Sequence, residues 1–351
     1  MSKSTFKITV CIPAYNRVAV LPALLESILT QNFSDFELVI NEDNSPERPK
    51  IRAVVAHYSA LFPNKIKYFE NETNFGYDAN LRSLIERSAG DYCLFMGNDD
   101  LMCPDALNVV MNTIDKHPKV GVFLRSFAAF DGDSSNIVQT FKYFDKEIFF
   151  PAGADTISTF YKRSVVIPGV TLHRESALSF ATNEFDGTLL YQIYLVANIL
   201  VEWNGVFSPN IVTLYRNGGI PDFGNSEAEK GKFSPRTRTV ESSIGFMQGM
   251  LKIAHQTELS RNVKIYKKIL KDLSNYSYPI LAVQADKPLG VFIQYYFSLI
   301  RLGFGRQILF HAYFFAILIL GVKRMELVIS LIKRRLGHTP ALGNVYAGKH
   351  D

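Results

Sequence analysis

The sequence predicts an α/β fold, a mostly parallel sheet with helices on both faces, followed by a helical C-terminal region. Three observations carry this. Over the first 130 residues, short apolar runs alternate with stretches of helical period, which is the pattern of successive βαβ units. Polar clusters directly follow those runs, at the strand ends where open parallel sheets bind ligands. From about Arg236 to Leu336 the chain reads as mostly helical.

Residues 6–13 (FKITVCIP) form a strand buried on both faces. Leu21, Leu24, Leu25, Ile28 and Leu29 then share one helical face. Residues 36–40 (FELVI) are the second strand, and Ile51, Val54, Val55 and Tyr58 mark the second helix. A short third strand, 66–69, precedes a helix carrying Leu81, Leu84 and Ile85 that ends near Gly90. The fourth strand is 92–96 (YCLFM); Pro104 opens a helix through Leu107, Val110, Met111 and Ile114, and 120–130 is the fifth strand. Beyond it the pattern predicts a hairpin over 131–150 around DGDSSN, a strand at 165–172, a helix at 188–200 and a strand at 209–215. The Gly-rich tail 337–351 has no period and reads as loose.

With 351 residues, 47% hydrophobic and 20% charged, the chain is neither disordered nor fibrous, and its length suits about two domains or one large domain with an appendage. Three cysteines without a CxxC argue against a disulfide framework or a Cys-rich zinc site and for a reducing, cytosol-facing location. The N-terminus MSKSTFKITV has no secretory h-region. The net charge of +5 is local: residues 288–337 hold seven Lys or Arg and one Glu, which leaves −1 for the rest. That distribution argues against a nucleic-acid-binding body. The same segment contains 308–322, 15 residues without a charge. This is short of the roughly 20 residues of a spanning helix, and its basic flanks suit an anionic membrane surface. A helix buried in the second domain or in a dimer is the other reading, since Phe, Tyr and His run all round it.

Three turns should meet at one sheet edge: Pro13-Ala14-Tyr15-Asn16-Arg17, Asn41-Glu42-Asp43-Asn44-Ser45 and Gly97-Asn98-Asp99-Asp100. Adjacent carboxylates at Asp99 and Asp100 suit Mg²⁺ or Mn²⁺ bridging phosphate oxygens, or a solvated turn before a helix. Asp43 can accept from an imide N–H or a ribose hydroxyl, or close an Asx turn. Tyr15 can stack on a base or cover the core. Arg17 can meet phosphate or cap its helix. No P-loop, GxGxxG, HExxH or GxSxG occurs.

ITVCIPAYNR, FELVINEDNS, NFGYDANLRSLIERSAGDY and LFMGNDDLMCPDAL occur in that order. Together they resemble family 2 glycosyltransferases of the GT-A fold, clearly over 6–130 and more faintly to 216. The resemblance implies a GT-A domain over 1–235, with a nucleotide-binding half at 1–130 and an acceptor half at 131–235. Residues 236–336 then form a helical, basic and apolar, membrane-associating region. It implies a nucleotide-sugar donor, a UDP- or dTDP-sugar, with Tyr15 and Asp43 at the base. Pro13, Ala14 and Arg17 fall in the same loop, and Asn80 and Arg82 lie near the nucleotide. Asp99, next to Asn98, matches the last Asp of the metal- and diphosphate-binding DxD motif. This chain departs from the motif with Gly97 at its first position, and Asp100 offers a second carboxylate. The resemblance also implies inverting transfer with an Asp or Glu base ahead of a helix; Asp186 fits, with Glu184 in reserve, the other reading being a cap or first-turn acid of that helix. His173 and Arg174 are candidates for the acceptor side or simply strand-end surface, and Arg216, at the end of a strand in LYRNGG, is a candidate clamp on the diphosphate. The acceptor it implies is a lipid-linked saccharide in O-antigen, capsule or exopolysaccharide synthesis. The enzyme then sits in the cytoplasm, peripherally on the inner leaflet. The sequence sets no oligomeric state. A nucleotidylyltransferase lacks its Gly-rich basic loop here; a degenerate sugar-nucleotide-binding scaffold is the alternative, supported by Gly97.

Overall fold

The computed structural model describes residues 6–219 and 221–336, without the side chains of 328 and 330–336. The tail expected to be loose lies outside the described residues. The first half follows the expected order: β1 (Phe6–Ala14), α1 (Leu21–Leu29), β2 (Phe36–Glu42), α2 (Arg48–Leu61), β3 (Ile66–Glu70), α3 (Tyr77–Arg87) and β4 (Gly90–Phe95). A two-residue strand β5 (Leu101–Met102) then precedes α4 (Ala106–Asp115) and β6 (Val120–Phe130). The second half contains β7 (Ile137–Phe141), β8 (Ile148–Phe150), α5 (Ala154–Tyr161), β9 (Thr171–His173), α6 (Arg174–Ser179), α7 (Tyr191–Ile199) and β10 (Asn204–Arg216). Five helices follow: α8 (Val240–Arg261), α9 (Tyr266–Asn275), α10 (Tyr278–Ala282), α11 (Leu289–Arg301) and α12 (Ile308–Leu336).

The strands form one sheet in the order β3-β2-β1-β4-β9-β6-β10-β5, with β7 beside β6 and β8 beside β10. β1 pairs in parallel with β2 and β4, β2 with β3, and β6 with β10. β9 runs antiparallel to both β4 and β6 and joins the two parallel blocks. The wholly buried runs β2 and β6 lie between helical layers, as continuous apolar strands require. One core packs Ile8, Val10 and Ile12 against α1, α2 and α4. The other packs Cys11, Phe95 and Leu124 against α3, α5 and α7, and continues through Phe246, Met250 and Leu299 to Phe310. The C-terminal helices therefore share the core of the sheet.

Three expectations change. The hairpin turn DGDSSN links β6 to β7, but β8 crosses to β10 rather than closing the hairpin. The strand expected at 165–172 is reduced to Thr171–His173. Pro168 lacks a ladder N–H and Gly169 is left-handed, φ 82°; the freed carbonyls of Val166 and Pro168 accept from the buried Arg125 guanidinium. The helix expected from 188 starts at Tyr191, because Leu189 is left-handed at φ 63°.

α12 is broken at Gly321, φ 75°. Its stretch Ile308–Leu327 has mean hydropathy 1.6 and is long and apolar enough to cross a membrane by length and composition, and only 22% of its apolar window is buried. Phe310, Phe314 and Ile317 pack inward, whereas Ile308, Ile319 and Leu327 are 85%, 77% and 66% exposed. A core helix would bury these residues, so the buried-helix reading does not hold within the described chain.

Candidate functional site

The parallel pairing of β1 with β2 and β4 brings their carboxyl ends level, and the three polar turns meet there. They line a cavity of about 210 Å³. Pro13, Tyr15, Arg17, Asp43, Asn80, Asn98, Asp99 and Asp100 all face it.

The first turn is held in an unusual backbone state. Asn16 and Arg17 are consecutive left-handed residues, φ 53° and 64°, a conformation that costs energy outside glycine. The Asn98 amide stabilises it by donating to the carbonyls of Tyr15 and Asn16 at 3.0 and 3.2 Å. The strained turn points Arg17 back across the cavity to an ion pair with Asp99. Burial raises the pKa of the Tyr15 phenol, against a hydrogen bond with Asn74.

Asp43 is nearly buried and organises the loop before α3. Its Oδ1 accepts from Asn71 Nδ2 at 2.8 Å and Phe75 N at 2.9 Å; its Oδ2 accepts from Gly76 N at 2.9 Å. Burial pushes this carboxyl above the usual range, and those three bonds oppose the shift. Oδ2 keeps acceptor capacity toward the cavity. Gly76 has φ 88°, and a Cβ there would crowd Glu229 and Ser226, so Gly76 lets that loop close on the site. Asn80 bonds back to Asn41.

Asp99 and Asp100 are both buried. Burial raises the Asp99 pKa, opposed by the Arg17 and Arg216 guanidiniums. Burial, and then the Asp99 charge, raise that of Asp100 further. A Cβ on Gly97 would collide with Asp100 Oδ2 and lie 3.5 Å from Asp99 Oδ1. The space beside position 97 is therefore filled by the Asp100 carboxylate, and one oxygen of each acid lies within 3.5 Å of the same point. Among the described residues no cluster of three His, Cys, Asp or Glu forms.

Seven expected site residues stand elsewhere. Ala14 is buried at the end of β1. Arg216 does not line the cavity; its N donates to Asp100 Oδ1 and its Nε to the Asp99 carbonyl, both at 2.9 Å, so it braces the acidic turn. Arg82 and Asp186 also lie off the lining and bond each other through both guanidinium nitrogens, at 2.7 and 2.8 Å. The reserve acid Glu184 faces Lys252 and Gln256. His173 and Arg174 do not face the cavity either. His173 caps α6 through Ser176 N and stacks on Trp203, 4.2 Å between ring centres, and Arg174 donates to the Ile85 carbonyl.

Sequence reading missed the opposite wall. It is formed by the freed 165–168 segment, Gln192, and Asp222 with Phe223 from the loop after β10. Phe223 meets Tyr77 edge-on at 5.6 Å. Asp222 accepts from Asn16 and Arg236 at 3.3 and 3.1 Å. The sequence PDFGN has no period, and its only signal is a polar cluster after a strand.

A family-wide profile described as Glycosyl transferase family 2 matches residues 9–179. The chain carries a family 2 glycosyltransferase domain. An uncharacterized glycosyltransferase of Haemophilus influenzae is 36% identical over 113 residues, 32% of this chain and 36% of that protein. Abequosyltransferase RfbV of Salmonella typhimurium is 33% identical over 115 residues, 32% of this chain and 34% of the relative. The GalNAc(5)-diNAcBac-PP-undecaprenol beta-1,3-glucosyltransferase of Campylobacter jejuni is 30% identical over 106 residues, 30% and 33% of the two chains. The chain spans about a third of the length of these relatives. In three dimensions, Staphylococcus aureus TarS 1–349 in complex with UDP-GlcNAc superposes with TM-score 0.59 at 18% identity, over 84% of this chain and 80% of that one. A mannosyltransferase of Pyrobaculum calidifontis with GDP-Man and Mn²⁺ gives 0.50 at 14% identity, over 90% and 87%. The fold of this glycosyltransferase domain is thus GT-A.

Proposed function

We propose that this chain moves a sugar from a nucleoside-diphosphate donor, a UDP- or dTDP-sugar, to a hydroxyl of a lipid-linked saccharide in cell-surface polysaccharide synthesis, with inversion. The observation that carries it is the convergence of Tyr15, Asp43 and the Asp99–Asp100 turn on one cavity at the ends of β1, β2 and β4. Abequosyltransferase and undecaprenol-linked glucosyltransferase relatives support the pathway and the lipid-linked acceptor.

The base stacks on Tyr15 and bonds Asp43 Oδ2, and the diphosphate lies toward Arg17 and the acidic turn. That turn fits a divalent cation: two buried carboxylates each place an oxygen within 3.5 Å of one point, and a guanidinium already stands on one of them. Asp99 and Asp100 would hold Mg²⁺ or Mn²⁺, which neutralises charge on the leaving diphosphate. Arg17 then turns from Asp99 toward the phosphates. Asp186 is the proposed base, and one of its two Arg82 bonds is exchanged for the acceptor hydroxyl. Asp222 is its rival, because it already faces the cavity. Loss of a general base costs about 10²- to 10⁴-fold. Asp186→Asn should therefore lose turnover on that scale with donor binding kept. If Asp222→Asn alone does so, the base is Asp222.

The exposed apolar face of α12, with Lys323 and Arg324 beside it, suits peripheral contact with an anionic inner leaflet. The test of the whole reading is a thermal-shift screen of nucleoside diphosphates and sugar nucleotides with Mn²⁺, Mg²⁺ or EDTA. A metal-dependent rise with one base is expected. No rise with any nucleotide, in folded protein, favours the scaffold alternative.

A further inference from the structure

A second cavity, about 340 Å³, opens off the first. Leu189, Gly219, Pro221, Phe223 and Phe246 wall both. The family profile stops at 179, yet this cavity is built almost wholly beyond it, from the loop after β10, the first turns of α8, and α10 and α11.

Its chemistry is two-sided. The floor is apolar and aromatic, with Phe246, Met247, Ile280 and Tyr295. Arg236, Arg238 and Lys287 stand at its walls with one acid, Asp286. The Arg236 Nε donates to Asp222, which faces the first cavity, so one guanidinium spans the boundary between the two. Tyr295 is fixed by its hydroxyl bond to the Ile280 carbonyl at 3.0 Å. On the same helix, Leu289 and Phe297 are exposed to solvent, and α12 lies alongside with its own apolar face.

Two features identify the occupant. Continuity with the first cavity places whatever binds here next to the transferred sugar, and an apolar floor beside guanidinium and ammonium groups suits an amphiphilic anion. We infer that the second cavity is the acceptor site and takes the phosphate end and first isoprene units of a polyprenyl-phosphate-linked acceptor. Its tail leaves across the exposed side of α11 toward the membrane. This inference rests on the glycosyl-transfer reading.

The test uses the full chain saturated with the nucleotide and metal that give the largest thermal shift, or without nucleotide if none does. Farnesyl diphosphate, farnesol and inorganic diphosphate are titrated by calorimetry. Farnesyl diphosphate is expected to bind at least about tenfold tighter than either half-molecule, because both walls contribute. Met247→Trp, which fills the floor, should abolish this binding. Lys287→Glu with Arg238→Gln should weaken it at least about fivefold, and all variants should keep the nucleotide shift. Lys287→Glu alone, on a half-exposed side chain, carries the test if Met247→Trp does not fold. Wild-type affinity in these variants, or equal affinity for inorganic and farnesyl diphosphate, overturns the inference. A nucleotide shift without farnesyl diphosphate binding sinks this inference alone; the absence of the nucleotide shift sinks the transfer reading instead.

Discussion

The two cavities that meet at Leu189 and Phe223 are built in opposite ways. The first stands mainly on strand ends: the turns after β1, β2 and β4 supply Tyr15, Arg17, Asp43, Asn98, Asp99 and Asp100, with Asn98 bonded to the carbonyls of Tyr15 and Asn16, and α3, α7 and the loop after β10 add Asn80, Gln192 and Asp222. The second stands on helix faces and the long loop after β10. A parallel sheet gives one rigid geometry that can serve every nucleotide donor, whereas helices and loops can be reshaped for each acceptor. On the proposed assignment, the donor site rests mainly on the half that the family profile matches and the acceptor site on the half that it does not.

The sharpest way to break this contrast is to damage one cavity and read the other. Asp99→Asn should lower turnover by about 10²- to 10³-fold and remove the metal-dependent nucleotide shift. Farnesyl diphosphate binding should stay within about twofold of wild type. If both fall together, the cavities are one site and the division fails.

The same contrast explains what the sequence reveals. Strands β1 to β4 and β6 are legible because continuous apolar runs have one use in an α/β fold, and the polar clusters after them are legible because the sheet forces them to one edge. Tyr15, Asp43, Asn98, Asp99 and Asp100 therefore come together as expected, and Asn80, placed near them by the resemblance, joins them from α3. Arg82, Asp186 and Arg216 do not, because each found a partner distant in sequence: Arg82 and Asp186 are 104 residues apart, and Arg216 and Asp100 are 116 apart. No local pattern carries such a pairing. The 165–172 run is apolar like a strand, yet the demand of Arg125 for carbonyls, together with Pro168 and Gly169, removes it from the ladder. Asp222 escaped notice because its role depends on how a loop folds.

The boundary between the cavities is held from behind by Asp78. Its carboxylate accepts from the N–H groups of Thr188, Leu189 and Tyr191 at 2.8 to 2.9 Å, which caps α7 from α3 and fixes left-handed Leu189. Asp78→Ala would leave three buried donors unpaired, at a cost of about 3 kcal/mol or more, read as a lowered denaturant midpoint. Burial pushes the Asp78 carboxyl up from 3.8 to about 7, against those same bonds. The native state therefore holds an extra proton between about pH 4 and 7, and this group's contribution to stability falls as pH rises through that window. Asp78→Asn does not titrate. The stability gap between wild type and this variant should narrow from pH 4 to pH 8, and a constant or widening gap would contradict the assignment.

Gly187 tests the same boundary more gently. It has φ 78°, and a Cβ would strike the Ala228 carbonyl, which packs over it. Gly187→Ala should cost about 1–3 kcal/mol and shift the loop that carries Asp222 and Phe223. Because that loop walls both cavities, the KM values for donor and acceptor should rise together. A rise in one alone would show that the loop serves a single cavity.

The smallest expected effect separates the second cavity from the exposed apolar face of α12 beside it. Ile308, Phe315 and Ile319 are exposed on α12 and line neither cavity. Changing all three to Ser removes the exposed apolar area proposed to meet the membrane, so sedimentation with anionic vesicles should fall while turnover on a detergent-dispersed acceptor stays near wild type. Each buried side chain of this size contributes about 1.5–3 kcal/mol to partitioning, enough for a clear shift. If turnover falls with vesicle binding even in detergent, α12 takes part in shaping the acceptor cavity. The helical region is then one device that both docks the lipid and presents it, rather than an anchor beside an independent site.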